Sequence, residues 1–280
     1  MKSRLPIWAI LFSLILFQGW NGGLQAQEIA AYRGRVPDGY NFWLYTPPSY
    51  KVDSLKARTP LVVFLHGRSL CGTNLYSVLR YGSINAIQMG REIDALIVAP
   101  QNPGGAWNPD KILHVIDWVQ EKCPCDTARV YVLGMSLGGY GTMDFVDTYP
   151  DRVAAAMALC GGSTHRTYEN MGGVPLWVIH GTADTAVPIR CSDTVVQWLR
   201  DNHQDMRVLY DRLEGYNHSS LAKFFYMPMT YDWLFSHSLT TPGRPVTRIY
   251  GITEADIQDA YKDFDKDFRA TVTIVDPGKL

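Results

Sequence analysis

The segment Gly134-Met135-Ser136-Leu137-Gly138 constrains this chain more than any other. It follows the apolar run Val130–Leu133, which reads as a buried strand, and leads into a helical pattern from Gly139 to Thr148. A serine hydroxyl is a weak nucleophile unless it is held clear of the backbone and beside a base. A tight strand–turn–helix holds it clear. The crowding of such a turn accounts for the glycines two positions either side of Ser136, and Gly139 and Gly141 let the following helix pack closely.

The surrounding chain supports that context. Leu61–Leu65, Ala95–Ala99, Val153–Leu159, Leu176–Ile179 and Arg207–Tyr210 are Val-, Ile- and Leu-rich runs without polar alternation, as suits strands buried on both faces of a parallel sheet. Helical patterns lie between them. Over 110–122, Ile112, Val115, Ile116 and Val119 share one stripe, and 192–200 carries Val195, Val196 and Leu199. Ser219–Phe235 reads as a helix broken near Pro228. The alternation predicts an α/β class with a mostly parallel central sheet flanked by helices. Asn41–Tyr45 is expected as an antiparallel strand at the sheet edge. With 46% hydrophobic residues in 280, one large core is expected over residues 27–240. Beyond the turn Thr241–Pro245, a capping box at Thr253–Asp256 and a strand-like run at Thr271–Val275 predict a C-terminal extension, 241–280, packed on that domain.

The first 26 residues read as an export signal. Lys2 and Arg4 precede an apolar run from Ile7 to Phe17, and Gln25-Ala26-Gln27 supplies a cleavage point after Ala26. The expected location is periplasmic or extracellular. No later stretch is apolar enough to span a membrane. Basic and acidic residues number 26 and 27 with no basic block, which argues against nucleic acid as a partner. Five cysteines leave at least one thiol unpaired in a monomer, and no pair of C-x-x-C motifs supports a structural zinc site.

A nucleophile needs a base, and His218 is the choice among seven histidines. It lies in the loop Gly215–Ser219, between the last strand-like run and a helix, where it can reach over Ser136. His165 is the other loop candidate. His66 and His180 each precede a glycine at a strand end and are expected to shape their loops, His114 to lie on a helix and His203 in a solvated turn. The base needs a carboxylate to fix its tautomer. Asp184, directly after the strand Leu176–Ile179, sits at the same sheet edge as Ser136, while Asp211 and Glu214 are rivals nearer His218 in sequence. For a developing oxyanion the Leu137 N–H is one donor. The loop His66-Gly67-Arg68-Ser69 supplies the other, from Arg68 with Ser69 as the alternative. The Arg68 side chain and Trp107, placed at the rim after another strand, are candidate substrate contacts.

These residues resemble the α/β-hydrolase superfamily. His66-Gly67, Gly134–Gly139, Cys160-Gly161-Gly162, His180-Gly181 with Asp184 and Val187-Pro188, and His218 carry the resemblance over about residues 40–237. More narrowly the chain is similar to small secreted feruloyl and acetylxylan esterases, to polyhydroxybutyrate depolymerase-like enzymes, to the phospholipase/carboxylesterase group and to prolyl oligopeptidase catalytic domains. The resemblance implies a Ser136–Asp184–His218 triad, carboxylic ester hydrolysis through an acyl-enzyme, no metal or organic cofactor, and a small-molecule or carbohydrate ester substrate carrying acetyl or feruloyl groups. Two rivals stand beside it: a small serine peptidase of prolyl oligopeptidase type, and a non-catalytic binding protein on the same fold. The sequence departs from many relatives at Arg68-Ser69-Leu70-Cys71, where they have small residues and an acid, and in the 241–280 extension.

Overall fold

The structure, a computed structural model, describes residues 27–50, 59–246, 251–264 and 272–277; the export segment read at 1–26 lies outside them. The described strands are β1 Gln27–Tyr32, β2 Phe42–Thr46, β3 Thr59–Leu65, β4 Leu96–Pro100, β5 Cys125–Met135, β6 Ala155–Leu159, β7 Leu176–Gly181, β8 Val208–Leu213 and β9 Val272–Val275. They form one sheet in the order β8-β7-β6-β5-β3-β4-β2-β1-β9. β3 to β8 pair in parallel, and β2 runs antiparallel to both β4 and β1.

Alternation along each strand feeds two cores, one per face. Val62, Phe64, Tyr131 and Leu133 point into one. Leu61, Val63, Val130 and Val132 point into the other. The second face is covered by α2 (Pro109–Lys122), α3 (Leu137–Thr148) and α4 (Arg190–Asp201). The first is covered by α1 (Ser83–Gln88), the 3₁₀ turns of Ser219–Tyr226 and α5 (Pro228–Phe235). Pro228 opens α5 because the first turn of a helix needs no N–H from it.

Two readings of the sequence are corrected. The strand around 42–46 is antiparallel but interior, because β1 and β9 pair outside it. β5 begins at Cys125, well before Val130, with a register shift between Thr59 and Leu61 that brings its polar start alongside β3. The most consequential feature is the order around β3. The chain leaves β3 for β4 on one side and returns through α2 to β5 on the other, so the loops at their C-terminal ends diverge. A cleft opens there, at the topological switch point, where open α/β sheets bind ligands.

The C-terminal segment is joined to this body by specific contacts. α6 (Glu254–Gln258) is capped by reciprocal Thr253–Asp256 bonds, and Ile257 and Ala260 are buried. Arg91, 8% exposed, donates to Tyr226 O at 2.8 Å and Ala260 O at 3.4 Å and lies 4.9 Å over the Phe264 ring. Among the described residues, no helix is long and apolar enough to cross a membrane. Arg91→Ala is expected to lower the unfolding free energy by ~2 kcal/mol, through loss of charge-assisted bonds and an orphaned carbonyl. Urea unfolding checks the magnitude, and hydrogen exchange should show residues 251–264 opening first.

Candidate active site

Ser136 sits between β5 and α3 with φ 60° and ψ −121°, a conformation that L residues rarely adopt. Its neighbours hold it there. The Ser136 N–H donates to Leu159 O at 2.9 Å, and its carbonyl accepts from Tyr140 N at 3.0 Å. The glycines around it are required by contact. A Cβ on Gly138 would lie 1.8 Å from Leu65 O, and one on Gly134 would lie 2.4 Å from Gly138 O.

Ser136 and His218 line one pocket of about 650 Å³, with Gly67, Arg68, Ser69, Tyr81, Leu137 and Val187 among its walls. The His218 Nδ1–H donates to Asp184 Oδ2 at 2.6 Å; the Asp184 side chain is fully buried, and that of His218 is 24% exposed. Asp184 Oδ1 accepts the Ala186 and Val187 N–H groups, each at 2.9 Å. A buried carboxylate is tolerable with that many donors. The rivals are engaged elsewhere. Asp211 accepts the Trp177 indole N–H at 2.6 Å, Glu214 is exposed, and His165 contacts Asp147 at 2.7 Å.

Arg68 and Leu137 each open a short helical element at a strand end, Arg68 after β3 and Leu137 after β5. Neither backbone N–H has an acceptor among the described residues, as expected of the first donors of a helix. Both residues line the pocket that holds Ser136. The Arg68 side chain is exposed at its mouth.

His66 holds the Arg68 loop. Its Nδ1–H donates to Gly67 O at 2.8 Å, and its Nε2 accepts the Asn102 N–H at 3.0 Å. Those partners need the neutral ring, and burial pushes its pKa down to about 4. His180 is likewise pushed down by burial. Its Nε2–H is shared between Val187 O at 2.9 Å and Asp184 Oδ2 at 3.4 Å, so it braces the Asp184 loop.

Trp107 is a correction. It is 3% exposed and does not line the pocket; its ring fills the slot that Gly141 leaves, where a Cβ would lie 2.6 Å away. Its indole N–H donates to His66 O at 3.2 Å, so it supports the loop from below and does not face the cleft. Tyr81 has the opposite history: it lines the pocket, but its irregular segment gives the sequence no signal for it. Among the described residues, Cys160, Asp184 and His218 offer donor atoms within 4.8 Å of one another. Burial and the Asp184 charge push the Cys160 thiol up, so it stays a neutral thiol, a poor metal ligand.

Residues 107–230 match the family model of phospholipases/carboxylesterases. Acetylxylan esterase A of Aspergillus ficuum is 25% identical over 167 residues, covering 54% of this chain and 52% of that protein. The chain spans about half the length of the curated relatives it matches. A thermostable esterase structure superposes with a TM-score of 0.61 at 26% identity, covering 75% of this chain and 63% of that one. The feruloyl esterase module of Clostridium thermocellum, bound to sinapinate, gives 0.54 at 13% identity over 84% of this chain and 93% of that one, a likeness of fold. The chain is an α/β-hydrolase. The elbow at Ser136, the switch-point cleft and the mostly parallel sheet are the elements of that fold.

Two expectations follow for this α/β-hydrolase. Ser136→Gly should raise the unfolding free energy by ~1–2 kcal/mol over Ser136→Ala, because glycine releases the strained φ and alanine does not; denaturant unfolding of the pair measures it. His66 titrates lower when folded than unfolded. Its stabilising effect is therefore complete above about pH 6.5 and is lost as pH falls towards about 4. A His66→Gln variant, unable to take up that proton, should show a shallower loss of stability over this window.

Proposed function

We propose that this protein is an exported serine hydrolase that cleaves carboxylic esters through an acyl-enzyme, acting on acyl groups carried by carbohydrate. The observation that carries the reading is the pocket itself. Ser136 is held at a strained elbow, in one cavity with Arg68 and Leu137, whose amides have no acceptor among the described residues, and with an imidazole whose other nitrogen is fixed by a buried carboxylate.

The chemistry follows from the atoms. With Nδ1–H committed to Asp184, His218 has Nε2 as its basic nitrogen. It removes the Ser136 proton as the oxygen attacks the ester carbonyl. Asp184 stabilises the imidazolium that results. The carbonyl oxygen gains negative charge and is met by the Arg68 and Leu137 N–H groups. His218 then gives its proton to the leaving alcohol, and a water activated by the same nitrogen releases the acid from Ser136. His218 carries the protons in this sequence, and Asp184 and the two amides meet charges that develop on the imidazole and on the carbonyl oxygen.

The acyl-carbohydrate substrate is supported by the acetylxylan esterase relatives and by the export reading of residues 1–26. Apolar walls from Tyr81, Met135, Leu137, Tyr140 and Val187 suit an acyl group, and Arg68 and Ser69 at the mouth suit a polar alcohol. In this reading residues 27–240 form the catalytic domain and 241–280 an extension on it, consistent with β9 pairing to β1 and with the Arg91 contacts.

Hydrolysis of p-nitrophenyl acetate by the wild type and by Ser136→Ala tests the proposal. The variant is expected to lose at least about 10³-fold in kcat with an unchanged circular dichroism spectrum, and a fluorophosphonate should label the wild type alone. Equal rates in the two proteins would remove Ser136 from the chemistry. Faster turnover of a p-nitroanilide than of the matched ester would favour a peptidase.

A further inference from the structure

Tyr81 follows the 3₁₀ turns of Leu75–Arg80 and lines the pocket beside Ser136 and His218. Its phenol oxygen accepts the Gly67 N–H at 2.6 Å. The Ser69 hydroxyl is its other hydrogen-bonding neighbour and can give or take a hydrogen there. A phenol that accepts through its lone pairs keeps its own hydrogen to give. A hydroxyl that can donate as well as accept does not commit that hydrogen, which is left free to turn to a stronger acceptor in the pocket.

The position of the hydroxyl is set by Gly67. A Cβ there would lie 2.9 Å from Tyr81 Oη and 3.3 Å from Ser136 Cβ, so the hydroxyl and Ser136 both lie against the same glycine. The ring cannot swing away freely. It stands edge-on to Phe64, with centroids 5.8 Å apart, and alongside Phe225 at 6.2 Å.

We propose that the Tyr81 hydroxyl is a catalytic hydrogen-bond donor, giving its hydrogen to the substrate oxyanion as a third donor beside the Arg68 and Leu137 amides. The proposal rests on the ester-hydrolase reading of this pocket. The step is a hydrogen bond and transfers no proton. Burial pushes the Tyr81 phenol up to about 12, so the hydrogen stays in place through neutral and mildly alkaline pH. A preorganised neutral donor in a partly dry pocket strengthens as charge develops on its acceptor.

The competing role is positional, with the phenol oxygen only holding the Gly67 amide. The two roles respond oppositely to ionisation. A phenolate would hold an amide N–H more strongly, but it has no hydrogen to give and would repel an oxyanion. The experiment compares the full chain with Tyr81→Phe and with 3,5-difluorotyrosine placed at 81, a near-isosteric ring that ionises at lower pH. The readout is p-nitrophenyl acetate hydrolysis across pH, with Ser136→Ala as reference. Tyr81→Phe is expected to lose about 10²-fold in kcat with little change in KM. The fluorinated protein is expected to show an alkaline fall in kcat/KM that the wild type shows only at higher pH. Should the fluorinated and wild-type profiles superimpose, the donor role is overturned, even if Tyr81→Phe is impaired or poorly folded. A wild-type rate no higher than that of Ser136→Ala would overturn the ester reading, and this proposal with it.

Discussion

At Gly138 three stretches of backbone meet with no room for a methyl group. The Leu65 carbonyl at the end of β3, the close of β5 and the first turn of α3 approach so closely that a Cβ would lie 1.8 Å from the carbonyl oxygen, far inside van der Waals contact. The rest of the site depends on that approach. Because β3 and β5 are neighbours whose chains depart in opposite directions, the loops at their ends part around a cleft. Ser136, the Leu137 amide and the Arg68 amide therefore all emerge within a few residues of one crossing. Backbone contact fixes them, so their geometry does not rely on flexible side chains. The strain at Ser136 survives because fully buried strands on both sides leave the elbow no other course.

Burial divides the labour among the imidazoles. His66 and His180 have no exposed surface and are held down in pKa by desolvation; His66 spends its ring nitrogens on a loop carbonyl and a loop amide, and His180 on the Val187 carbonyl and the Ser192 hydroxyl. Burial disfavours a charge on either, so each acts as scaffolding. His218 has the same kind of anchor on one nitrogen but keeps part of its ring in the cleft. One residue type thus serves as fixed strut and as candidate proton carrier, according to solvent access.

The parts of this arrangement that the sequence disclosed are those governed by local geometry. The turn at Ser136 announces itself because crowding leaves only glycine at 134 and 138, and the Asp184 loop because a strand end feeds it directly. The extent of the sheet was less legible. β1 and β9 are short, their mutual pairing spans most of the chain, and no local pattern encodes which edge a strand will take. Trp107 shows the limit within the site. Its place after a strand fixed the loop it occupies, but loop membership does not say whether a side chain turns to the cleft or to the core. The deciding partner was Gly141, one turn into α3, whose missing Cβ makes the slot. A glycine inside a helix facing a large aromatic on a nearby loop was the available signal.

Asp184 and His218 are built as one body and Ser136 as another. The Asp184 and His218 loops are zipped together: Thr182 N–H to Leu213 O at 2.9 Å, Ala183 N–H to Tyr216 O at 3.1 Å, and Gly215 N–H to Thr182 Oγ1 at 2.9 Å. A Cβ on Gly181 would lie 2.1 Å from Tyr216 O, so that seam is closed as tightly as the elbow. Ser136 belongs instead to β5 and α3, and the distance between Ser136 and His218 depends on how the two bodies meet. Cys160 lies where they meet. It sits at φ 38°, its N–H donates to Ile179 O on β7, and its thiol lies beside the Ser136 backbone and in the field of Asp184. An ionisable group there is acceptable only if it stays uncharged, since a second anion would be repelled by the buried Asp184 carboxylate. Burial raises the thiol's pKa and meets that condition, so a small neutral side chain joins the two halves without disturbing the charge that one of them carries.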